Sequence, residues 1–276
     1  MLPFALSPSR AGDFKTCPLL FRFRAVERLP EPPSPAATKG TVTHLCLQRL
    51  FELPAAARDV DAALALLPGA WEAIVDADDH AVLFATPAAA EAAYTDTERF
   101  VRNYFELEDP TLLTPAGLEL RLRTRVGDLD VVGVLDRLDR SEDGTWVVSD
   151  YKTGRTPGER RETTSFFACK VYALLLRDLV GELPARLRLL FLDEPTTLVV
   201  EPKPAEVEAA GRLLGAMGRT LAGAFARDEW PARPSYFCDF CPHKAICPAH
   251  DGSAPDSYDQ SGTTPAGEPV GVGVNR

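Results

Sequence analysis

The sequence predicts an α/β fold in which helices surround a sheet, and the evidence is a change of hydrophobic period along the chain. Before Gly117, apolar residues recur at helical spacing and alanine is frequent. From Gly117 the pattern alternates, because Leu118, Leu120 and Leu122 are separated by Glu or Arg. Helical spacing returns after Asp150, so a run of strands lies between two helical regions.

Two helices are expected in the N-terminal region. The first is predicted from Ser7 to Val26, with Ser7 as the residue that caps its N-terminus. A proline-rich segment, residues 29–38, then interrupts the helical pattern, because proline removes a backbone donor and restricts the residue before it. The second helix is predicted from about Lys39 to Phe51.

The alanine-rich segment from residue 55 to about residue 107 is predicted to be helical throughout, because alanine has the highest intrinsic helix propensity. Interruptions are expected near Pro68 and Pro87. No cluster of chemically reactive side chains stands out in this segment, so we expect it to be a structural insertion.

Three antiparallel strands are predicted next, because tight-turn residues separate three apolar runs. Gly127-Asp128 marks the first turn, and residues 129–138 resume the strand pattern. A second turn is expected at residues 141–144, followed by a strand at residues 146–149. The predicted meander ends at Asp150.

The remaining elements alternate between helices and strands, and then the chain loses its hydrophobic pattern. Residues 251–276 are rich in Gly, Ser, Thr, Pro and Asp, so we expect a disordered tail there. Before the tail, the sequence predicts a helix at 163–179, strands at 187–192 and 197–200, a long helix at 204–227 and a cysteine-rich knot at 238–247.

Length, composition and charge limit the possibilities. A chain of 276 residues with 45% hydrophobic and 25% charged residues can bury the core of one domain, which we expect to span residues 1–250. No run of about 18 uncharged apolar residues appears, so we expect no membrane segment and a cytoplasmic location. The net charge of −10 argues against a protein that coats nucleic acid by bulk attraction, since such binding depends on Lys and Arg.

Two aspartates and a lysine stand at the ends of neighbouring predicted strands. Asp136 ends one strand, Asp150 ends the next, and Lys152 follows on the same face as Asp150. Because neighbouring strands lie about 4.8 Å apart, the two carboxylates can share a divalent ion, and oxygen ligands suit Mg²⁺ or Mn²⁺. An ammonium beside such an ion can orient a water molecule or stabilise negative charge. The alternative interpretation is a surface ion pair at a solvated strand end, which either fragment alone would favour.

Three segments together resemble the RecB-like exonuclease branch of the PD-(D/E)XK nuclease superfamily. In chain order they are Gly-Thr-Val-Thr-His at 40–44, Gly-Val-Leu-Asp-Arg-Leu-Asp at 133–139 and Asp-Tyr-Lys-Thr-Gly at 150–154. The resemblance spans about residues 5 to 250. It implies a restriction-endonuclease-like core with a central mixed sheet flanked by helices, and an enzyme that hydrolyses phosphodiester bonds with a divalent metal ion.

The resemblance also implies roles for individual residues of these segments. Asp136 and Asp150 would be metal ligands, and the Tyr151 carbonyl would be a further ligand. Lys152 would be the catalytic lysine. His44 would be an additional ligand or would position water, although a single helical His is more often structural.

Contacts with nucleic acid are implied for the helix after the third strand. The family usually has a Gln four residues before a Tyr there; Tyr172 matches the Tyr, but Ala168 occupies the Gln position. Lys170 and Arg137 are further candidates for nucleic-acid contacts. Glu119 is a weaker candidate for the active site, because an alternating strand places many Glu side chains outside.

The cysteines form a second candidate site. Cys238, Cys241 and Cys247 make a compact thiol group, and Cys17 can supply a fourth thiol from the N-terminal helix. Disulfides are not expected, because the chain shows no secretory signal and cytoplasmic thiols stay reduced. Four thiolates suit either Zn²⁺ or an iron–sulfur cluster, and spacing alone does not separate the two.

Two nearby histidines, His243 and His250, add a zinc option. The arrangement of cysteines, however, is similar to that of a subset of RecB-like nucleases, including AddB-type helicase–nuclease subunits and CRISPR adaptation nucleases. The resemblance implies a [4Fe–4S] cluster rather than zinc, acting as a staple between the first helix and the end of the domain. Cys46 and Cys169 lie in helical apolar patterns and are expected to be buried thiols.

The resulting hypothesis is a Mg²⁺- or Mn²⁺-dependent nuclease that acts on DNA, either single-stranded or at ends, in DNA repair or recombination. The main alternative is a DNA-binding, cluster-containing subunit of a larger helicase–nuclease assembly. A third possibility is a metal-stapled interaction protein. The combination of Asp136, Asp150 and Lys152 favours the enzyme, because binding alone has no need for these three residues together.

Overall fold

The computed structural model describes residues 2–32, 34–75, 83–156 and 162–252, with side chains from residue 166 onward in the last range. The tail predicted at 251–276 therefore lies almost wholly outside the described residues. A five-stranded sheet has helices on both sides, which confirms the predicted α/β fold. The strands are β1 (Pro115–Val126), β2 (Leu129–Arg140), β3 (Trp146–Lys152), β4 (Arg186–Phe191) and β5 (Thr196–Val200).

The α-helices fall before and after the first three strands. In chain order they are α1 (Pro8–Thr16), α2 (Pro18–Phe21), α3 (Pro35–Glu52), α4 (Val60–Ile74), α5 (Pro87–Leu107), α6 (Glu162–Val180) and α7 (Pro204–Arg227). In the part of the chain that the structure describes, no helix has both the length and the apolar run that crossing a membrane requires.

The order of the strands in the sheet follows their order in the chain. β1, β2 and β3 form the predicted antiparallel meander. The chain then crosses over through α6, so β4 pairs with β3 in parallel, and β5 returns antiparallel to β4. The sheet is therefore mixed, and β3 lies at its centre.

The prediction of one continuous helix from Ser7 to Val26 is wrong. Helix α1 ends at Thr16, and Cys17 is extended, with φ −156° and ψ 116°. Pro18 explains the break, because a proline disfavours helical backbone in the residue before it. A short α2 follows and continues into a π-helical turn at Arg22–Val26. The predicted N-cap is confirmed, since the Ser7 hydroxyl accepts a hydrogen bond from the Arg10 amide.

The two prolines of the alanine-rich segment behave differently. The predicted interruption of the helix at Pro68 is wrong, because α4 continues through this residue. Pro68 is exposed, while Leu67 and Ala70 beside it are buried, so packing of the buried face sustains the helix despite the lost donor. At Pro87 the predicted boundary is confirmed, because α5 begins there. Residues 76–82 lie outside the described residues.

The sheet separates two hydrophobic cores. One core joins the N-terminal segment, α6 and α7 to the sheet, and the other joins α3, α4 and α5 to it. Strand β3 contributes to both, because Val148 packs in the first core and Tyr151 in the second. A strand buried on both faces is held firmly in place, and this is the strand that ends in Asp150 and Lys152.

Candidate active site

The two aspartates predicted to share a site lie side by side on neighbouring strands. Arg137 of β2 pairs with Ser149 of β3, and this register places Asp136 opposite Asp150. Both aspartates are buried, with exposures of 8% and 5%. The Asp136 carboxylate accepts a hydrogen bond from the Tyr151 amide at 2.7 Å, which fixes its orientation relative to β3.

Lys152 reaches the same site. Its ammonium nitrogen lies 2.5 Å from Oδ2 of Asp150. Burial lowers the pKa of Lys152, but the Asp150 carboxylate raises it, and the net direction is upward. The lysine is therefore charged at neutral pH. Burial and the charge of Asp136 raise the pKa of Asp150, while Lys152 opposes that shift.

His44 of α3 approaches Asp136 and the end of β3. Its Nε2 lies 3.0 Å from the Tyr151 carbonyl oxygen, and its Nδ1 lies 3.5 Å from Oδ1 of Asp136. When Nε2 carries the proton and donates to the carbonyl, the lone pair of Nδ1 faces the carboxylates. Burial lowers the pKa of His44, but the carboxylates of Asp136, Asp150 and Glu119 together outweigh it, and the net direction is upward. The helix packs closely here, because a Cβ on Gly40 would lie 3.1 Å from the Thr153 hydroxyl.

Glu119, which the sequence ranks as a weaker candidate, lies beside two of the predicted site residues. Ligand atoms of His44, Glu119 and Asp136 all lie within 4.8 Å of one another. Glu119 has φ +45°, a left-handed conformation that costs a non-glycine residue about 1–2 kcal/mol. A break in the register between Pro115 and Gly117 precedes it. Pro115 and Gly117 both weaken a regular strand, and they are the signal in the sequence that could have pointed to the unusual position of Glu119.

The charge environment of Glu119 is strongly acidic. Burial and the carboxylate of Asp136 raise its pKa, and Asp150 adds to the shift, while His44 opposes it. Three carboxylates crowded in this way repel one another unless a cation lies between them. Within the described residues, the buried Oδ2 of Asp150 contacts the Lys152 ammonium at 2.5 Å, and a carboxylate oxygen has a second lone pair that can accept a further partner. Carboxylate oxygens and one imidazole form a donor set that fits Mg²⁺ or Mn²⁺.

The three carboxylates of Glu119, Asp136 and Asp150, referred to below as the acidic group, lie in an open cleft of about 610 Å³. Tyr172 of α6 lines the cleft, as do Arg10, Arg121 and Gly133. A Cβ on Gly133 would lie 2.7 Å from Leu175 and 3.0 Å from the Tyr172 ring. Glycine at this position therefore lets α6 pack against β2 beside the site.

Arg137 does not lie at the surface, which contradicts the prediction that it contacts nucleic acid. Its side chain is fully buried and forms an ion pair with Glu108. Its Nε donates to both oxygens of Asp139 at 3.0 and 2.9 Å. It also donates to the hydroxyls of Tyr151 at 2.8 Å and Ser149 at 3.1 Å. Arg137 therefore points to the face opposite Asp136, because successive residues of a strand face opposite sides.

The other two candidates for nucleic-acid contacts have different surroundings. Tyr172 lines the cleft, which is a suitable position for a contact with nucleic acid, and this role stays a prediction. Lys170 does not line the cleft, and its ammonium lies 3.2 Å from Glu206 of α7. A phosphate contact from Lys170 remains a prediction.

The four predicted cluster cysteines surround one cavity of about 280 Å³. Cys17 precedes α2, Cys238 lies in a short 3₁₀ turn after α7, and Cys241 and Cys247 each follow directly after a 3₁₀ turn. Backbone amides point at two of the sulfurs, since Arg233 N lies 3.4 Å from Cys17 Sγ and Ser235 N lies 3.3 Å from Cys238 Sγ. All six cysteines are free thiols. Cys46 and Cys169 are buried, as predicted.

Comparisons with known proteins agree with the geometry. A family model of the PD-(D/E)XK nuclease superfamily matches residues 5–248. A "putative exonuclease" from Eubacterium rectale has a similar fold, with a TM-score of 0.57, 14% identity and coverage of 88% of this chain and 89% of that chain. A second crystal structure, of SSO0001, has a TM-score of 0.41 with 14% identity and coverage of 91% and 88%, which is too low to support an inference.

No curated protein matches this sequence. The family match covers most of the chain and includes Asp136, Asp150 and Lys152. The fold of the crystal structure from Eubacterium rectale is independent support for the architecture. The chain belongs to the PD-(D/E)XK nuclease superfamily.

Proposed function

We propose that the protein is a divalent-metal-dependent nuclease that hydrolyses phosphodiester bonds in DNA. The observation that carries the proposal is the convergence of His44, Glu119 and Asp136 within 4.8 Å, next to the Asp150–Lys152 ion pair. Membership of a nuclease superfamily supports the same conclusion. A pure binding role gives no reason to crowd three carboxylates beside a lysine in an open cleft.

Asp136, Asp150, Glu119 and His44 are the residues that would hold the metal ion, with the Tyr151 carbonyl as a further candidate ligand. A bound Mg²⁺ or Mn²⁺ would supply charge neutralisation at the phosphate and a more acidic water molecule. The His44 ring fixes α3 to β3 through the Tyr151 carbonyl, so the ligands from different elements keep their relative positions.

Lys152 would act directly on the substrate. Its ammonium is held beside Asp150 and remains charged, so it can donate a hydrogen bond to the attacking water or to a phosphate oxygen. As the water oxygen bonds to phosphorus and the bond to the leaving oxygen breaks, negative charge increases on the phosphate oxygens. A fixed cation stabilises that charge more than it stabilises the starting phosphodiester.

The test is DNA cleavage by purified wild-type protein and Lys152→Ala. With Mn²⁺ present, we expect the wild type to degrade labelled DNA and the variant to lose about 10²–10³-fold in rate, the usual loss for a group that stabilises transition-state charge. Lys203→Ala, which changes an exposed lysine before α7, is the matched control and should retain full activity. Equal degradation by wild type and Lys152→Ala would remove Lys152 from the mechanism.

We further propose that the enzyme acts on single strands or on ends, in DNA repair or recombination. The similar protein from Eubacterium rectale is described as a "putative exonuclease", which supports an end-directed mode. Linear and circular substrates distinguish the modes, because an exonuclease leaves covalently closed circles intact. Rapid cleavage of circular single strands would contradict the end-directed proposal.

A helicase partner is proposed because the sequence contains no GxxxxGK[ST] phosphate-binding motif. An enzyme restricted to single strands or ends would need a separate motor to act within a duplex. We expect a helicase added to the assay to increase degradation of duplex DNA. No increase with any helicase that unwinds the same duplex would count against this coupling.

We propose that Cys17, Cys238, Cys241 and Cys247 hold a [4Fe–4S] cluster. A zinc ion bound at about 2.3 Å would require sulfurs about 3.8 Å apart. Among the described residues, the only group of three or more ligand atoms within 4.8 Å is the acidic one, so the four sulfurs are spread more widely than a single ion needs. A larger cluster fits that spread and the shared cavity better.

The metal at the cysteines can be identified spectroscopically. A protein purified without oxygen should be brown, absorb near 400 nm and lose this absorbance in a Cys17→Ser variant. Because the site joins the start of α2 to the end of the domain, that variant should also be less stable. A colourless protein with stoichiometric zinc would establish zinc instead.

A further inference from the structure

Two arginines line the cleft beside the acidic group, and neither forms a salt bridge with a carboxylate of the described residues. Arg10 of α1 donates from Nη1 to the Ala5 carbonyl at 2.9 Å. Arg121 of β1 is exposed and points into the same cleft. Over residues 2–32, 34–75, 83–156 and 166–252, no salt bridge joins either guanidinium to an acid. Both cations are therefore available to an anionic ligand.

The two arginines flank an apolar strip of β2. On one edge of β2, Leu6 donates to the Asp130 carbonyl at 2.8 Å and accepts from the Val132 amide at 3.0 Å, which places α1 on that side. On the other edge, Arg121 pairs with Val134. Val132, Gly133 and Val134 line the cleft between them, and Val134 is 40% exposed. The cleft thus has an apolar floor with a cation on each side.

The cationic side continues away from the acidic group along β1. Arg123 and Arg125 follow Arg121 at two-residue intervals, so all three lie on one face of the strand. Each arginine is about 6.8 Å from the next along the strand. Arg123 pairs with Asp130 at 2.6 Å, and Arg125 lies 3.9 Å from Asp128. Exposed ion pairs of this kind are worth about 0–1 kcal/mol, so a phosphate can replace either carboxylate.

We propose that this surface binds the backbone of a single strand of nucleic acid. Arg10 and Arg121 would hold the phosphates next to the metal site, Val132 and Val134 would contact sugars or bases, and the strand would continue along Arg123 and Arg125. The single row of arginines favours one backbone, because a duplex presents two. The inference rests on the proposed nuclease function and names the substrate form for that same site.

The test is binding of a fluorescein-labelled oligothymidylate of about 20 nucleotides, measured by anisotropy in EDTA at several KCl concentrations. The first variant is Arg121→Gln/Arg123→Gln/Arg125→Gln, and the second is Arg10→Gln. The matched control is Arg102→Gln/Arg212→Gln/Arg227→Gln, which removes three exposed arginines from α5 and α7 and changes the net charge equally. Circular dichroism and thermal melting confirm that each variant is folded.

Each phosphate contact on a single strand contributes about 0.7 to the slope of log K against log salt. We therefore expect the β1 triple variant to lose about 2 from that slope and at least tenfold in affinity, and Arg10→Gln to lose about 0.7 from the slope. The control should bind within twofold of wild type. Unchanged affinity and slope in the β1 variant, equal loss in the control, or no binding by wild type would overturn the proposal.

Cleavage assays separate this inference from the nuclease function. If the wild type cleaves DNA but the β1 triple variant keeps the wild-type KM, the binding surface is wrong and the nuclease function stands. If the β1 variant loses binding as expected but the wild type does not cleave with Mn²⁺, the surface stands and the nuclease function fails.

Discussion

Replacing Arg137 with methionine tests whether the buried ion network behind the site stabilises the fold. The arginine is fully buried, and methionine fills part of its volume without its charge. The change leaves Asp139, which is 7% exposed, without its cation, while Glu108 keeps Arg188 at 2.6 Å. Removing one partner of a buried ion pair lowers the free energy of unfolding by about 3–5 kcal/mol, a large part of the typical total of about 5–15 kcal/mol. We expect Arg137→Met to lower the free energy of unfolding by about 3–5 kcal/mol.

The assay is urea denaturation at pH 7. At this pH Glu108 is ionised, because its pairing with Arg137 and Arg188 lowers its pKa despite the opposing effect of burial. Arg102→Met is the control, since it breaks an exposed pair with Glu98 worth about 0.3–0.5 kcal/mol. The double variant Arg137→Met/Asp139→Asn should be less destabilised than the sum of the single variants, because the unpaired charge is gone. A loss below about 1 kcal/mol for Arg137→Met would refute this reasoning.

Further predictions concern the acidic group and the packing beside it. The folded-state pKa of Glu119 is raised, so the stability that its protonated form contributes is lost as pH rises through that pKa. In EDTA, the Tm of Glu119→Gln should therefore exceed that of wild type at pH 7.5, and the difference should shrink toward pH 5. An identical pH dependence of Tm in the two proteins would contradict this prediction. Mn²⁺ at about 100 times its Kd should stabilise wild type by about 2.7 kcal/mol and Glu119→Gln by less, which thermal melting in EDTA and in Mn²⁺ measures. Gly133→Ala should cost about 1–3 kcal/mol in urea denaturation, because the new methyl group would overlap Leu175, and Gly154→Ala, where a Cβ meets nothing within 4 Å, is the matched control.

Much of the fold could be predicted because local signals agreed with the final packing. The period-two pattern and the turn at Gly127 gave the β1–β2 hairpin, and the observed α7 has the predicted limits, Pro204 to Arg227. The exceptions came from prolines. Pro18 broke a helix whose hydrophobic spacing looked continuous, whereas Pro68 was tolerated because the opposite face of α4 is buried. Hydrophobic spacing alone does not report which of these outcomes tertiary packing favours.

The candidate site was predictable where a short motif held its residues together. Asp150 and Lys152 lie at the end of β3, whereas Asp136 lies within β2, four residues before its end, where the β2–β3 register places it opposite Asp150. Glu119 was ranked low, because its approach depends on a register break and a left-handed backbone that alternation does not encode. Arg137 was misassigned, because strand alternation turns its side chain into the opposite core rather than toward the cleft.

The claim that the acidic group holds one divalent cation is tested most directly by measuring Mn²⁺ binding to the folded protein. We expect titration followed by electron paramagnetic resonance to show one tight site in the wild type that is lost in Asp136→Asn, while circular dichroism shows an unchanged fold. Equal Mn²⁺ binding by the two proteins, or none by the wild type, would contradict the account.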